Sequence, residues 1–432
     1  MSANLTVSTF SLGTLGPQLW FMGWWDSFLT ILFFNFIGMI PPAYMATFGP
    51  KTGLRTISFT RFTFGWYGAM FLACVNIISC LGWSMVNSIV GGQIILSVSD
   101  GKCPFAVGVI LIAIVSLPVP LFGYKIIHQY ERYSWILMII MFCIVAGLGA
   151  HAFSNIPMPS GSGELASVMS FGAAVFGFSV AWCSLTMDYN VNMKEDTPAW
   201  KTFIWTYGGL FVSLNFIEWL GAAAMTAAIV NDDWAAAYTA SGIGGLLGMC
   251  VASAGGFGKF CLVVLTFSIV ANNIPNNYSL GLSAQVLGNW AIKIPRFLWT
   301  FTGVLVYVIA AVAGREHFAT ILDSFLLCMG YWATPFALII FQEHLIFKRG
   351  VYDLDGWNDK RVMPWGLAAF FSWGVSIIMA VMGMSQEWYV GPIALAAFGP
   401  PYGADIGFEL SIATCLLLYS PLRYLERKHV RQ

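Results

Sequence analysis

AAAYTASGIGGLLGMCVASAGGFG, residues 235–258, has no charged side chain and is long enough to cross a bilayer as a helix. Whether it crosses decides the fold, because a crossing would move every later connection to the opposite side. A helix needs roughly 20 apolar residues to span the hydrocarbon. Twelve other segments meet that length: about 3–24, 27–48, 66–97, 104–124, 130–151, 166–187, 202–228, 258–285, 296–314, 319–342, 364–384 and 404–422. Lys and Arg collect in cytoplasmic loops. Twelve spans put 17 of the 20 basic residues on one side, among them Lys51, Arg55, Arg61, Arg296 and Arg427, and leave only Lys102, Lys259 and Arg315 on the other. A thirteenth span would destroy that asymmetry. The sequence therefore predicts an outer helix or re-entrant cap over 234–258, with both termini cytoplasmic.

Composition agrees with a polytopic membrane protein. Of 432 residues, 58 % are hydrophobic and 9 % charged, against about 25 % charged in soluble chains. Only helices or closed barrels satisfy the backbone in lipid, and alternating ten-residue strands are absent, so the prediction is all-α. A formal net charge of zero argues against a nucleic-acid partner. No basic stretch precedes a short apolar one at the N-terminus, so no cleavable signal peptide is expected. The nine cysteines form no CxxC and the five histidines are scattered. They read as packing residues rather than metal or redox groups, and no cofactor is expected. HExxH, GxSxG and P-loop patterns are missing, which disfavours a membrane-embedded enzyme. Pore-lining repeats, which a channel would want, are also missing. The polar stretches 152–164, 188–200 and 350–362 are too short for a soluble domain.

Two spans contain poor helix material. Span 1 carries FSLGTLGPQ, residues 10–18, with Gly13, Gly16 and Pro17; span 6 carries FGFSVAWCSLTMDY, residues 176–189, with Gly177 and several small polar residues. Close helix packing explains such residues too. Their placement favours breaks, because interrupted helices at matching positions of two halves mark a transporter site. Spans 1 and 6 are five apart, as a repeat of five plus five inverted helices requires.

The same scheme pairs span 3 with span 8. Span 8 contains ANNIPNNYS, residues 271–279, inside a stretch with no charge from Lys259 to Lys293. Amides without partners cost several kcal/mol each away from water. Span 3 contains CLGWSMVNSIVGGQ, residues 80–93, in which Trp83 and Asn87 lie four apart and share a helix face. An indole plate beside an amide suits a flat heterocycle, which stacks on the ring while amides meet its edge. Trp182 of span 6 supplies a second indole. Asn272, Asn273 and Asn276 supply amides from span 8.

FSLGTLGP, GWSMVNSIVGGQ, LTFSIVANNIPNNYS, SQEWYVGPIA (385–394) and DIGFEL (405–410) resemble the fungal purine–cytosine permease branch of the nucleobase:cation symporter-1 family, in order along the whole chain. The resemblance implies twelve helices of the leucine-transporter type: a first repeat over 1–151, an inverted second over 166–342, two added helices over 363–422 and a cytoplasmic tail over 423–432. It implies proton-driven uptake of purine bases and cytosine across the plasma membrane, or of vitamin B6 in one sub-branch. It places Trp83, Asn87, Trp182, Asn272, Asn273, Pro275 and Asn276 at the substrate, with Ser11 or Thr14 completing the site from span 1. Three features depart from the family. Its span 6 pattern, close to GWxxYAADYxVY, is AWCSLTMDYNVNM here, so that Leu185, Thr186 and Met187 replace Tyr-Ala-Ala. The Arg-Asp that opens span 2 is Trp25-Asp26, and the family's segment ahead of span 1 is missing.

Sodium-coupled relatives place a Ser–Thr pair on span 8, where this chain has Ala271 and Asn272. Hard cations want several oxygen ligands, so the expected coupling ion is the proton. Intramembrane carboxylates are then functional candidates. Glu218 in span 7 comes first, with Asp188 and Asp26 near span ends and Asp323 and Glu409 elsewhere. Asp188 is also expected to anchor the inner end of span 6 to cytoplasmic basic groups.

Overall fold

The computed structural model describes residues 2–118, 124–158 and 161–430. The described residues form helices and connections, with no β-ladder beyond one isolated bridge, Ser385 to Val390. Twelve helices correspond to the apolar segments: α1 (Val7–Leu19), α2 (Trp24–Gly38), α3 (Arg61–Val98), α4 (Phe105–Ser116), α5 (Tyr124–Gly149), α6 (Ser162–Ala181), α7 (Ala199–Val230), α8 (Gly255–Val286), α9 (Arg296–Ala313), α10 (Phe318–Gln342), α11 (Leu367–Gly383) and α12 (Gly407–His429). Eight helical segments are long and apolar enough to cross a membrane by themselves, and α4 and α11 are shorter apolar helices. The inner end expected for span 4 falls partly outside the described residues. Helix α12 runs past the expected end at 422, and most of the expected tail is helical.

Helix α1 corrects the first expected break. It is continuous through Gly13, Gly16 and Pro17, and the irregular backbone lies at residues 2–6, ahead of it. The glycines serve contact instead. A Cβ on Gly13 would lie 1.9 Å from the carbonyl oxygen of Glu218 on α7, and one on Gly16 would meet the Phe171 ring at 2.9 Å. Pro17 withholds one N–H from the carbonyl of Gly13, a single lost bond, and the helix ends two residues later at Leu19.

Span 6 does break, but beyond Gly177. Helix α6 gives way to a 3-10 turn at Trp182–Ser184, Leu185 leaves the helical region at φ −126°, ψ −22°, and a short helix Thr186–Asn190 follows. Gly177 lies against the carbonyl of Leu326 on α10, with only 2.0 Å for a Cβ. It is a packing glycine, as small residues in membrane helices commonly are.

Residues 232–251 fold as a helical hairpin, and 255–258 already belong to α8. The helix Asp232–Val251 is interrupted at Ser241 and Gly242, the latter at φ 58°. A Cβ on Gly245 would sit 1.9 Å from the carbonyl oxygen of Ala237, so the two arms double back on each other. Each arm holds about ten residues, or roughly 15 Å of helix, which is half a bilayer. Ile243 N–H donates to Gln93 Oε1 of α3 at 3.1 Å and pins the tip. We expect Gly245→Ala to lower the stability of the purified protein by about 1–3 kcal/mol, read as a lower melting temperature. An unchanged melting temperature would show that the arms separate freely.

The C-terminal ends of α10 and α12 are locked by charge. Arg423 makes a two-pronged pair with Glu343 at 2.9 and 3.0 Å, and Tyr419 donates to the same carboxylate at 2.7 Å. Both partners are buried. Helix α9 shows the opposite kind of surface, with Phe297, Phe301, Leu305 and Ile309 exposed along one stripe.

Candidate functional site

The broken end of α6 faces α3 and α8, and the amides of the sequence converge there. Asn87 of α3 donates to Asn272 Oδ1 at 2.6 Å and to Asn273 Oδ1 at 2.9 Å. The hydroxyl of Ser8, on the first turn of α1, donates to Asn87 Oδ1. Asn272 donates to the Ala3 carbonyl in the irregular segment before α1. Asn276, one turn along α8, donates to the Asn272 carbonyl at 3.0 Å. Three helices and an unwound segment are thus tied by side-chain amides, and all four residues Asn87, Asn272, Asn273 and Asn276 are buried. A buried amide left unpaired costs about 1–3 kcal/mol, which is why these groups bond to one another. The exception is Asn273 Nδ2, which has no partner among the described residues.

Beside the amides, Trp83, Phe178, Ala181, Trp182, Leu185, Asn272, Pro275 and Asn276 line a central cavity. Its space is about 20 Å³, room for one water molecule. Trp83 is held edge-on by Phe178 at 4.8 Å and by Phe325 at 5.0 Å. Trp182 sits at the break itself and also lines a second cleft of about 540 Å³ shared with Ala3, Glu131 and Tyr189. Trp182 thus lines both spaces.

Of the residues singled out from the sequence, Trp83, Trp182, Asn272 and Asn276 line the cavity directly. Asn87 stands one layer behind and holds both Asn272 and Asn273. Ser11 and Thr14 use their hydroxyls on their own helix, donating to the carbonyls of Val7 at 2.9 Å and Ser11 at 2.7 Å. Ser8 and Phe178 belong to the site and were not singled out, whereas Leu185 entered only as a departure from the family's span 6 pattern. A one-turn step back from Ser11 reaches Ser8, but serine is too common in membrane helices to signal it.

The carboxylates divide by surroundings. Glu218 is wholly buried, and its Oε2 accepts from Asn35 Nδ2 of α2 at 2.7 Å, while Asn35 Oδ1 accepts from Ser179 of α6 at 2.5 Å. Its Oε1 has no partner, and no cationic side chain of the described residues pairs with it. Asp188, in the short helix after the break, accepts from the Thr56 backbone N–H at 2.9 Å and from Ser279 at 3.5 Å. Asp26 occupies the first turn of α2, where an acid suits the helix N-terminus. Asp323 is buried with one oxygen unpartnered, and neither oxygen of Glu409 has a partner among the described residues.

Residues 1–403 match a family described as "Permease for cytosine/purines, uracil, thiamine, allantoin". The chain belongs to this permease family. It is 42 % identical to purine-cytosine permease fcyB of Emericella nidulans, over 99 % of this chain and 84 % of that one. It is 34 % identical to purine-cytosine permease FCY2 of Saccharomyces cerevisiae, over 99 % and 82 %. Vitamin B6 transporter TPN1 of Saccharomyces cerevisiae is 32 % identical, over 99 % and 83 %. Among solved structures, Mhp1, a nucleobase-cation-symport-1 family transporter in a closed conformation with bromovinylhydantoin bound, has a TM-score of 0.70 at 13 % identity, over 99 % of this chain and 91 % of that one. A Na+-coupled sialic acid symporter in a substrate-bound outward-open state has 0.60 at 12 %, over 98 % and 89 %. The chain thus shares its fold with a bromovinylhydantoin-bound symporter and a sialic acid symporter, whose solutes differ chemically, so the fold by itself does not select a substrate.

Proposed function

We propose that the chain is a secondary transporter that carries purine bases and cytosine with protons by alternating access, and is not an enzyme. The observation that supports this most is the cavity at the α6 break, where two indoles and the Asn272 and Asn276 amides surround one small space. A planar neutral heterocycle stacks on indole and satisfies amides along its rim. It would exchange the amide-to-amide bonds for its own and give Asn273 Nδ2 a role as donor. Trp83, Trp182, Asn272 and Asn276 would meet the solute, and Asn87 would hold and follow Asn272. On this reading the twelve helices form two inverted five-helix repeats, 1–151 and 166–342, and an added pair, 363–422, in the plasma membrane with both ends cytoplasmic. Lipid would cover stripes such as that of α9.

Glu218 is the group we assign to proton coupling. Burying an isolated carboxylate charge is costly, and a proton is the simplest partner this side chain can take. The chain Glu218–Asn35–Ser179 ends three residues before Trp182. Protonation and the state of the break would then share one set of hydrogen bonds. Asp188 has hydrogen-bond partners of its own, Asp26 sits at the start of α2, and both rank below it.

Uptake of labelled cytosine and adenine in transporter-deficient cells, with and without a proton uncoupler, tests the reading. Saturable uptake that the uncoupler abolishes is expected. No uptake of any base at normal surface expression would overturn the nucleobase reading. The similarity to a vitamin B6 transporter would then put pyridoxine first, and a substrate-sensing role without flux second.

A further inference from the structure

We propose that the outer vestibule is a second binding station for the same planar solute, resting on the transport reading above. A cavity of about 610 Å³ opens above the central site, between α1, α3, the hairpin tip and the start of α10. That size is typical of small-molecule sites, about 300–1,000 Å³, whereas the central cavity holds about 20 Å³. Gln93 stands six positions beyond Asn87 on α3, about 9 Å further out at 1.5 Å per residue. The two spaces are therefore consecutive along one helix.

The vestibule repeats the chemistry of the inner site. Gln18 and Gln93 bring two carboxamides, and Phe105 and Phe318 bring aromatic walls. Gln93 is only 8 % exposed. Its oxygen is held by the Ile243 N–H at 3.1 Å, while its Nε2 has no hydrogen-bond partner among the described residues. Gln18 offers the same arrangement, since its oxygen accepts from Tyr238 at 3.0 Å and fixes the amide in place. Both amides thus present N–H donors from a fixed position, suited to the ring nitrogens and carbonyls of a neutral base. The charged pair at the rim, Arg315 and Glu316, is mutually neutralised at 3.3 Å, which leaves no net charge to select an ion. The hairpin joins both contacts, so solute docking and hairpin position are linked through Tyr238 and Ile243.

Labelled adenine is titrated against the full chain in lipid nanodiscs. The wild type is expected to bind two molecules per chain, the second more weakly. Gln93→Glu keeps an oxygen for Ile243 and removes the donors. It should leave one molecule bound and raise the KM for adenine uptake about tenfold, the loss of a good hydrogen bond. Gln18→Glu, which keeps the acceptor for Tyr238, should do the same and replaces the first variant if that one fails to fold. One molecule in the wild type, lost on Asn276→Ala and untouched by either glutamate variant, would overturn the vestibule station and keep the transport reading. Absence of adenine binding by the wild type would overturn both.

Discussion

Asn87→Ala is expected to cut the uptake of labelled base at least a hundredfold while the protein still reaches the membrane. The Asn87 side chain is the knot between three helices. It donates to Asn272 and Asn273 on α8 and accepts from Ser8 on α1. Alanine leaves Asn273 Oδ1 and the Ser8 hydroxyl without these partners in a dry place. Each buried group left unmade costs about 1–3 kcal/mol, and two of them amount to a factor of a hundred or more. The loss falls on the transport cycle because Asn272, which lines the cavity, is no longer held in position. Membrane insertion should survive, since it depends on apolar helices and alanine favours helix. Asn87→Asp, which keeps the acceptor for Ser8 and loses the donors, should fall with alanine. Normal uptake by the alanine variant would reduce this amide to packing.

Glu218→Gln is expected to abolish accumulation against a gradient. Glutamine matches the carboxyl group in size and can still accept from Asn35 Nδ2, so the contact at 2.7 Å is retained. What it lacks is the ability to take up and release a proton. The variant should bring internal and external base to equal concentration, or stop transport, and the uncoupler should then have no effect. Labelled-base accumulation at several external pH values reads this directly. Accumulation that still follows the proton gradient would move the role to another carboxylate of the helices, Asp323 with one oxygen unpartnered or Glu409 with both.

Much of the site was legible because its residues are chemically out of place. Asn272, Asn273 and Asn276 stand in an uncharged run, and Trp83 and Asn87 share a helix face. Unusual polarity in an apolar span is a strong signal, since hydrocarbon tolerates it only for a reason. Ser8, Phe178 and Leu185 carried no such signal, because serine, phenylalanine and leucine are ordinary there. The glycines misled for a related reason. A glycine can loosen a helix or let another backbone approach, and sequence does not separate the two uses. At Gly13 and Gly177 a carbonyl from a distant helix lies where a Cβ would be, so contact decided both. The hairpin was half legible. The charge asymmetry removed it from the list of spans, while its doubling back rests on the fit of Gly245 against Ala237.

The sequence by itself determined that this is a helical membrane protein, roughly where its helices lie, and which side chains are too polar to be idle. Those properties come from residue type and local spacing, which act within a few turns. Tertiary structure decided where the chain unwinds, which carboxylate lacks a partner, and that the amides answer one another. Asn87 and Asn272 stand 185 positions apart, and a hydrogen bond across that separation is fixed only when packing brings the two helices together.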